Sequence, residues 1–165
     1  MFREMRRFRQ KLSDEECIGI LTRGKEGVLA ISGDDGYPYA VPLNFVYYNG
    51  ALYFHCAKAG HKIDALRKDG RASFCVIDKA DVIQEKYTTF FRSVIVFGII
   101  SEVDDDSEKY AAVKILTEKY CPDYAEGIPA EIEKEWDRLN VLRLTVEHLS
   151  GKQAIELVPK KRDSF

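Results

Sequence analysis

"YAVPLNFVYYNGALYFHC", residues 39–56, decides the fold. Two β-rich runs flank Asn49-Gly50, a strong hairpin signal because both turn residues must accept a positive φ. Pro42 falls inside the first run and has no N–H to give. That run must therefore be an edge, a bulge or a surface turned toward a ligand.

Working outward, the same grammar repeats. "GVLAIS" is a short apolar strand and "GDDGYP" is turn chemistry. Downstream, "RASFCVID" is a strand, and "FFRSVIVFGIISEV" is a long buried one whose Gly98 allows the bend a barrel needs. "VLRLTVEHL" alternates, with Leu142, Leu144 and Val146 on one face, and "KQAIELV" reads as a final strand.

Helices interrupt this pattern irregularly. Ser13 and Glu16 form an S-x-x-E capping box with Leu12 and Cys17 placed as a staple, predicting a helix over 13–23 that stops at Gly24. Residues 61–69 predict a helix closing on Gly70, with Ile63 and Leu66 inward. Asp104–Asp106 introduce a third, with Tyr110, Val113, Leu116 and Tyr120 on one stripe. Pro129 starts a fourth, with Ile132, Trp136 and Leu139 inward. Six or seven strands arriving mostly as sequential neighbours exclude regular β-α-β alternation. The expected architecture is mainly β, an antiparallel barrel with peripheral helices.

Composition narrows the setting. The 165 residues suit one domain, expected to span 1–165 with barrel segments 27–103 and 141–158 and a helical insert at 105–140. A formal net charge of −2 gives no field for nucleic acid. The opening "MFREMRRFRQ" is basic without a signal-peptide core, and no apolar run approaches the roughly 18 residues that span a bilayer. A cytoplasmic location is the expectation. Cys17, Cys56, Cys75 and Cys121 form no C-x-x-C pair, so free thiols are expected.

Chemistry concentrates at "YFHCAKAGHKIDALRKDG", residues 53–70, where a strand runs into a helix. His55, Cys56 and His61 suggest a metal, but adjacent strand residues point to opposite faces and do not easily chelate one ion. Cys56 as a nucleophile lacks an orienting acid and an oxyanion hole. An anion cradle is the stronger reading. A helix starting near Gly60 leaves backbone N–H groups unpaired, Gly60 admits close approach, and Lys62 and His61 add charge and donors. The plain alternative is a solvated first turn. Asn44 offers a carboxamide able to pair with a heterocycle edge, or else sits on the polar face of a half-buried strand.

Together, "AVPLNFVYYNGALYFHCAKAGHKIDALRKDGRASFCV" and "FFRSVIVFGIISEV" resemble the flavin-binding split-barrel superfamily, the pyridoxamine 5'-phosphate oxidase-like group. Within it, V-P-x-N-F, Y-F-H and G-x-K-x-x-x-L are most similar to the nitroimidazole reductase (Nim-type) branch, and "RLTVEHLSGKQA" agrees with that branch's C-terminal part. The resemblance implies a six-stranded antiparallel split β-barrel that dimerises with FMN at the subunit interface. It further implies that Lys62 and His61 hold the FMN phosphate, with His55 and Cys56 beside it. Val41, Pro42, Leu43, Asn44 and Phe45 would line the ring, Ser93 would contact the flavin, and Lys152 of Gly151-Lys152 would face the partner's flavin.

The implied activity is an FMN-dependent reductase taking hydride from a nicotinamide donor and passing it to a small organic acceptor such as a nitroaromatic, with His55 as a proton source. A non-enzymatic flavin or haem binder is the alternative, and haem would draw an axial ligand from His55, His61 or His148. Two departures from the family pattern stand out. Cys56 occupies a position where many members carry a hydroxyl, and His61 replaces an arginine. The substrate-phosphate residues of true pyridoxamine phosphate oxidases are not recognisable.

Overall fold

The computed structural model describes residues 2–159. Residues 1 and 160–165 of the expected domain lie outside the described residues. Seven strands form one antiparallel sheet: β1 (Glu26–Ser32), β2 (Pro38–Asn44), β3 (Val46–Tyr48), β4 (Ala51–Ala57), β5 (Arg71–Ile83), β6 (Thr88–Glu102) and β7 (Leu139–Gln153). Their order across the sheet is β2-β1-β5-β6-β7-β4-β3. The helices are α1 (Asp14–Arg23), α2 (His61–Lys68), α3 (Asp106–Tyr120) and α4 (Ile128–Glu135).

This order forces the sheet to curl. Its two outermost strands, β2 and β3, are separated in the chain by Phe45 alone, so the two edges must meet. The result is a split barrel with seven strands in place of the expected six, because the run at 39–48 breaks at Phe45. Pro42 lies in an edge strand, where a missing donor costs no ladder bond on the open side.

The curled sheet encloses one core and carries another on its back. Inside, α1 presents Cys17, Ile20 and Leu21 to Phe45, Phe54, Phe74 and the strand residues around them, and α2 adds Ile63 and Leu66. Phe45 and Phe74 meet edge to face at 4.9 Å. The second cluster packs Ala112, Val113 and Leu116 of α3, with Ile128 and Ile132 of α4, on Val46, Tyr53 and Val141. Tyr110, expected on that buried stripe, is instead exposed at the helix surface.

Local signals explain the element ends. The capping box forms, with Glu16 N–H donating to Ser13 Oγ at 3.2 Å and Ser13 N–H donating to Glu16 Oε2 at 2.7 Å. Asn49 and Gly50 adopt φ of 47° and 77° at the β3–β4 turn. Gly24 is needed for space and not for a left-handed cap. Its φ is −62°, and a Cβ there would lie 3.0 Å from both Ile20 O and Val76 Cγ1. At Gly98 the β6–β7 register slips so that Glu147 has no partner, and a Cβ on Gly98 would fall 1.9 Å from Thr145 O.

Two strand expectations change. β5 and β6 run past 78 and before 90, forming a two-stranded ribbon over 79–91 that pairs with nothing else beyond Phe91 and Arg92. "KQAIELV" is not a separate strand. β7 continues through Gln153, and Ile155–Leu157 form a 3₁₀ turn.

Candidate functional site

Strand β4 ends at Ala57 and α2 begins at His61, with Gly60 between them at φ 125°. That positive φ is one only glycine adopts cheaply, and a Cβ there would meet nothing within 4 Å, so the corner is open. The Gly60 carbonyl accepts from the N–H groups of Ile63 and Asp64 at 2.9 and 3.1 Å. The N–H groups of His61 and Lys62 precede the helix's own ladder and face outward with the positive end of its dipole.

Lys62, in the first turn of α2, stands near the end of β4. Its charge is felt at both His55 and Cys56, which therefore share one corner with it. Burial, and then the Lys62 charge, hold the His55 imidazole below its ordinary value. At Cys56 burial outweighs Lys62 and pushes the thiol up, with Glu102 adding in the same direction. The thiol is thus protonated and inert at neutral pH. His55 and Cys56 lie on opposite faces of β4, and Cys56 packs against the inner core, as strand alternation requires.

His61 follows the same helix turn but faces another way. Its ring stacks on Tyr39 of β2 at 4.1 Å, and its Nε2 lies 3.3 Å from Asp34 Oδ2. Lys68 donates to the other Asp34 oxygen at 2.9 Å and holds that carboxyl below its usual range. Asp34 was legible only as part of the turn "GDDGYP", because nothing local in a turn announces a contact 27 residues away. Behind Cys56, its strand partner Asn140 donates to Glu102 at 2.7 Å, and Glu102 is clamped by Arg67 at 2.7 and 3.1 Å. No local pattern marks that trio either.

From Tyr39, β2 leads away with Val41 and Leu43 half-buried and Pro42 and Asn44 exposed. The Asn44 amide donates to Lys25 O at 3.5 Å. Phe45 does not line an open surface, since its side chain is fully buried in the inner core. Only its backbone borders β2.

Ser93 and Lys152 lie elsewhere. They pair with each other across β6 and β7. Along β7, Lys152 is twelve residues from Asn140, the partner of Cys56, which is about 40 Å of strand at roughly 3.3 Å per residue. Lys152 Nζ stands 5.5 Å from the Phe91 ring, while Arg92 is engaged by Gln153 at 3.1 Å. Gly151 has a packing reason, since a Cβ there would lie 2.2 Å from Cys17 Sγ. One protomer therefore gathers His55, Cys56 and Lys62, with His61 alongside, while Ser93 and Lys152 pair with each other twelve residues further along β7.

The back of the sheet between these ends is apolar. Val28, Ile77, Ile95 and Ile99 of β1, β5 and β6 are all exposed there. A groove bounded by Gly27, Val28, Pro42, Cys75 and Ile77 runs across it. Among the described residues, no three His, Cys, Asp or Glu side chains are grouped to hold a metal ion. No helix among them is long and apolar enough to cross a membrane.

The donor set at the β4–α2 corner has the chemistry of a phosphate site. It offers free backbone N–H groups, an ammonium, an imidazole and a glycine with open space above it. The exposed edge strand beside it can offer backbone groups to a flat polar ring. These residues suit a phosphate-bearing ligand with a flat polar ring, as a flavin has.

The sequence model for pyridoxamine 5'-phosphate oxidase matches residues 13–153. No curated protein matches the chain. Among solved structures, an FAD-binding protein from Mesorhizobium loti is 28% identical, covering 88% of this chain and 97% of its own, with a TM-score of 0.59. A protein named for 5-nitroimidazole antibiotic resistance, from Bacteroides thetaiotaomicron, is 21% identical over 87% of this chain and 86% of its own, with a TM-score of 0.70. An FAD and haem binding protein from Mycobacterium smegmatis is 23% identical over 94% and 77%, with a TM-score of 0.74.

Proposed function

The chain belongs to the pyridoxamine 5'-phosphate oxidase family, and on that footing we propose that it binds FMN and works as an NAD(P)H-linked reductase of a small organic acceptor such as a nitroaromatic. The observation that carries this reading is the β4–α2 corner, where Lys62, His55 and unpaired helix N–H groups surround an open glycine. The similarity to the Mesorhizobium FAD-binding protein supports a flavin as the guest.

Lys62 and the first N–H groups of α2 hold the phosphate. His61 supports it from the side, its ring fixed by Tyr39 and Asp34. The exposed edge formed by Pro42 and Asn44 borders the ring. When bound, FMN supplies the hydride and electron transfer, so the protein needs few catalytic groups of its own. His55 is held neutral by burial and Lys62. A phosphate dianion beside it favours the imidazolium and so restores a proton that His55 can hold near the site.

The separation of Ser93 and Lys152 from this corner also gives a reason for a homodimer. A second copy seated on the apolar sheet back covers Val28, Ile95 and Ile99. It carries the Ser93–Lys152 end of one protomer toward the cleft of its partner.

The test is the visible spectrum of purified protein reconstituted with FMN, followed by anaerobic titration with NADH and NADPH. Flavin bands that bleach with a nicotinamide are the expected result. Absence of flavin absorbance, with an unchanged melting temperature on adding FMN, overturns the reading. A bound flavin that resists both nicotinamides assigns the protein to non-enzymatic flavin binding, and a Soret band assigns it to haem.

A further inference from the structure

A groove separate from the flavin corner opens between α3 and α4, and its volume is about 530 Å³. Pro129 and Ile132 form its apolar floor, and the rings of Tyr110 and Trp136 rise from it. Those rings are 6.4 Å apart at the centroids and tilted by 48° to each other, and both line the groove. Asp106, Glu133 and Asp137 stand around the rim. None of these residues belongs to the set around Lys62.

The chain already places an ammonium on this indole. Lys109 Nζ lies 4.0 Å from the Trp136 ring and donates to the Trp136 carbonyl at 3.2 Å. Burial and the charge of Lys58 disfavour that ammonium, and the charges of Asp106 and Asp137 favour it. The carboxylates of the rim therefore act on a cation seated at Trp136. Lys109 and Lys58 against the carboxylates of Asp106, Glu133 and Asp137 leave the rim with a net negative charge of one. Aromatic faces, an apolar floor and surplus negative charge are complementary to a cation carrying an apolar body.

We propose that the groove between α3 and α4 binds a small organic cation of the alkylammonium class, held by Trp136 and Tyr110 and by the carboxylates of Asp106, Glu133 and Asp137.

Trp136 is the only tryptophan in the chain, so its emission reports on this groove alone. Choline is titrated into the FMN-free and FMN-loaded protein at low salt, alongside 3,3-dimethyl-1-butanol, its uncharged isostere. The expected result is a saturable change in emission at millimolar choline in both forms, with the isostere about tenfold weaker. A Glu133→Gln/Asp137→Asn variant, checked for an unchanged melting temperature, is expected to bind choline about tenfold more weakly. Three results overturn the proposal: no saturable change, an isostere that binds as well as choline, or a charge-neutral variant that binds as the parent does.

Discussion

The backbone N–H of Phe45 donates to the Tyr120 hydroxyl at 3.0 Å, and Tyr120 is the last residue of α3. Phe45 is the link between the two edge strands, so its peptide groups have no ladder partner. Its carbonyl accepts from Lys119 Nζ at 3.0 Å and lies 2.9 Å from the same tyrosine oxygen. Lys119 also donates to Gly24 O, and Tyr120 to Lys25 O. One helix end therefore clasps the barrel seam and the α1–β1 junction together.

Removing the hydroxyl leaves a Phe45 N–H without its partner beside the buried Phe45 side chain. Tyr120→Phe is expected to lower stability by about 1–3 kcal/mol, the cost of a stranded polar group. Thermal melting measures it, and an unchanged midpoint would show that the clasp is dispensable.

Lys119 carries a pH signature. Burial pushes its ammonium down to about 8 from an ordinary 10.5. The unfolded chain thus holds more protons than the folded one between those values, so stability from this group rises as pH climbs through the window. Below about pH 8 both states are protonated and the contribution is flat. Urea unfolding at pH 7.5 and pH 10 should show a smaller gain for Lys119→Met than for the parent chain, and equal gains count against the assignment.

At the phosphate corner, Lys62→Glu is expected to abolish FMN binding, and His61→Ala to weaken it about tenfold, since His61 is partly engaged by Asp34. Fluorescence titration with FMN separates the two, and a Lys62→Glu chain that retains affinity sinks the cradle. In the apo protein, His55 should titrate below the ordinary histidine value by NMR. Lys62→Met should move it upward without restoring it fully, because burial is the larger cause. A titration unmoved by that substitution would separate Lys62 from His55.

The apolar sheet back provides a fourth test. Ile95→Glu places a charge at the centre of the surface proposed to receive a second copy. Sedimentation should show a shift to monomer, with FMN affinity falling in parallel. A variant that dimerises as before would move the interface elsewhere.

Much of this architecture was written locally. Ser13 with Glu16, and Asn49 with Gly50, each fix their own turn through bonds or φ values needing no distant partner. Pro42 announced an edge because a missing N–H is a property of the residue itself. The break at Phe45 was hidden, since apolar residues continue on both sides and only the clasp from α3 reveals it. The 79–91 ribbon escaped notice because its exposed residues lack an alternating apolar face. At the site, the cradle was legible in Gly60 and Lys62. The Tyr39 and Asp34 contacts of His61 were not, because they depend on how the β1–β2 turn folds over α2.

The strand order also dictates how the molecule must assemble. β7 is the last strand among the described residues yet lies in the interior of the sheet, between β6 and β4. Until it arrives, β2-β1-β5-β6 and β4-β3 are two separate fragments with unpaired facing edges. Its pairings with β4 join residues as far apart as Ala51 and Thr145, and contacts of such long range slow folding because the loop entropy comes first. Only the pairing of β7 with both β6 and β4 can join those two halves of the sheet. Closure of the barrel thus depends on contacts that span most of the described chain.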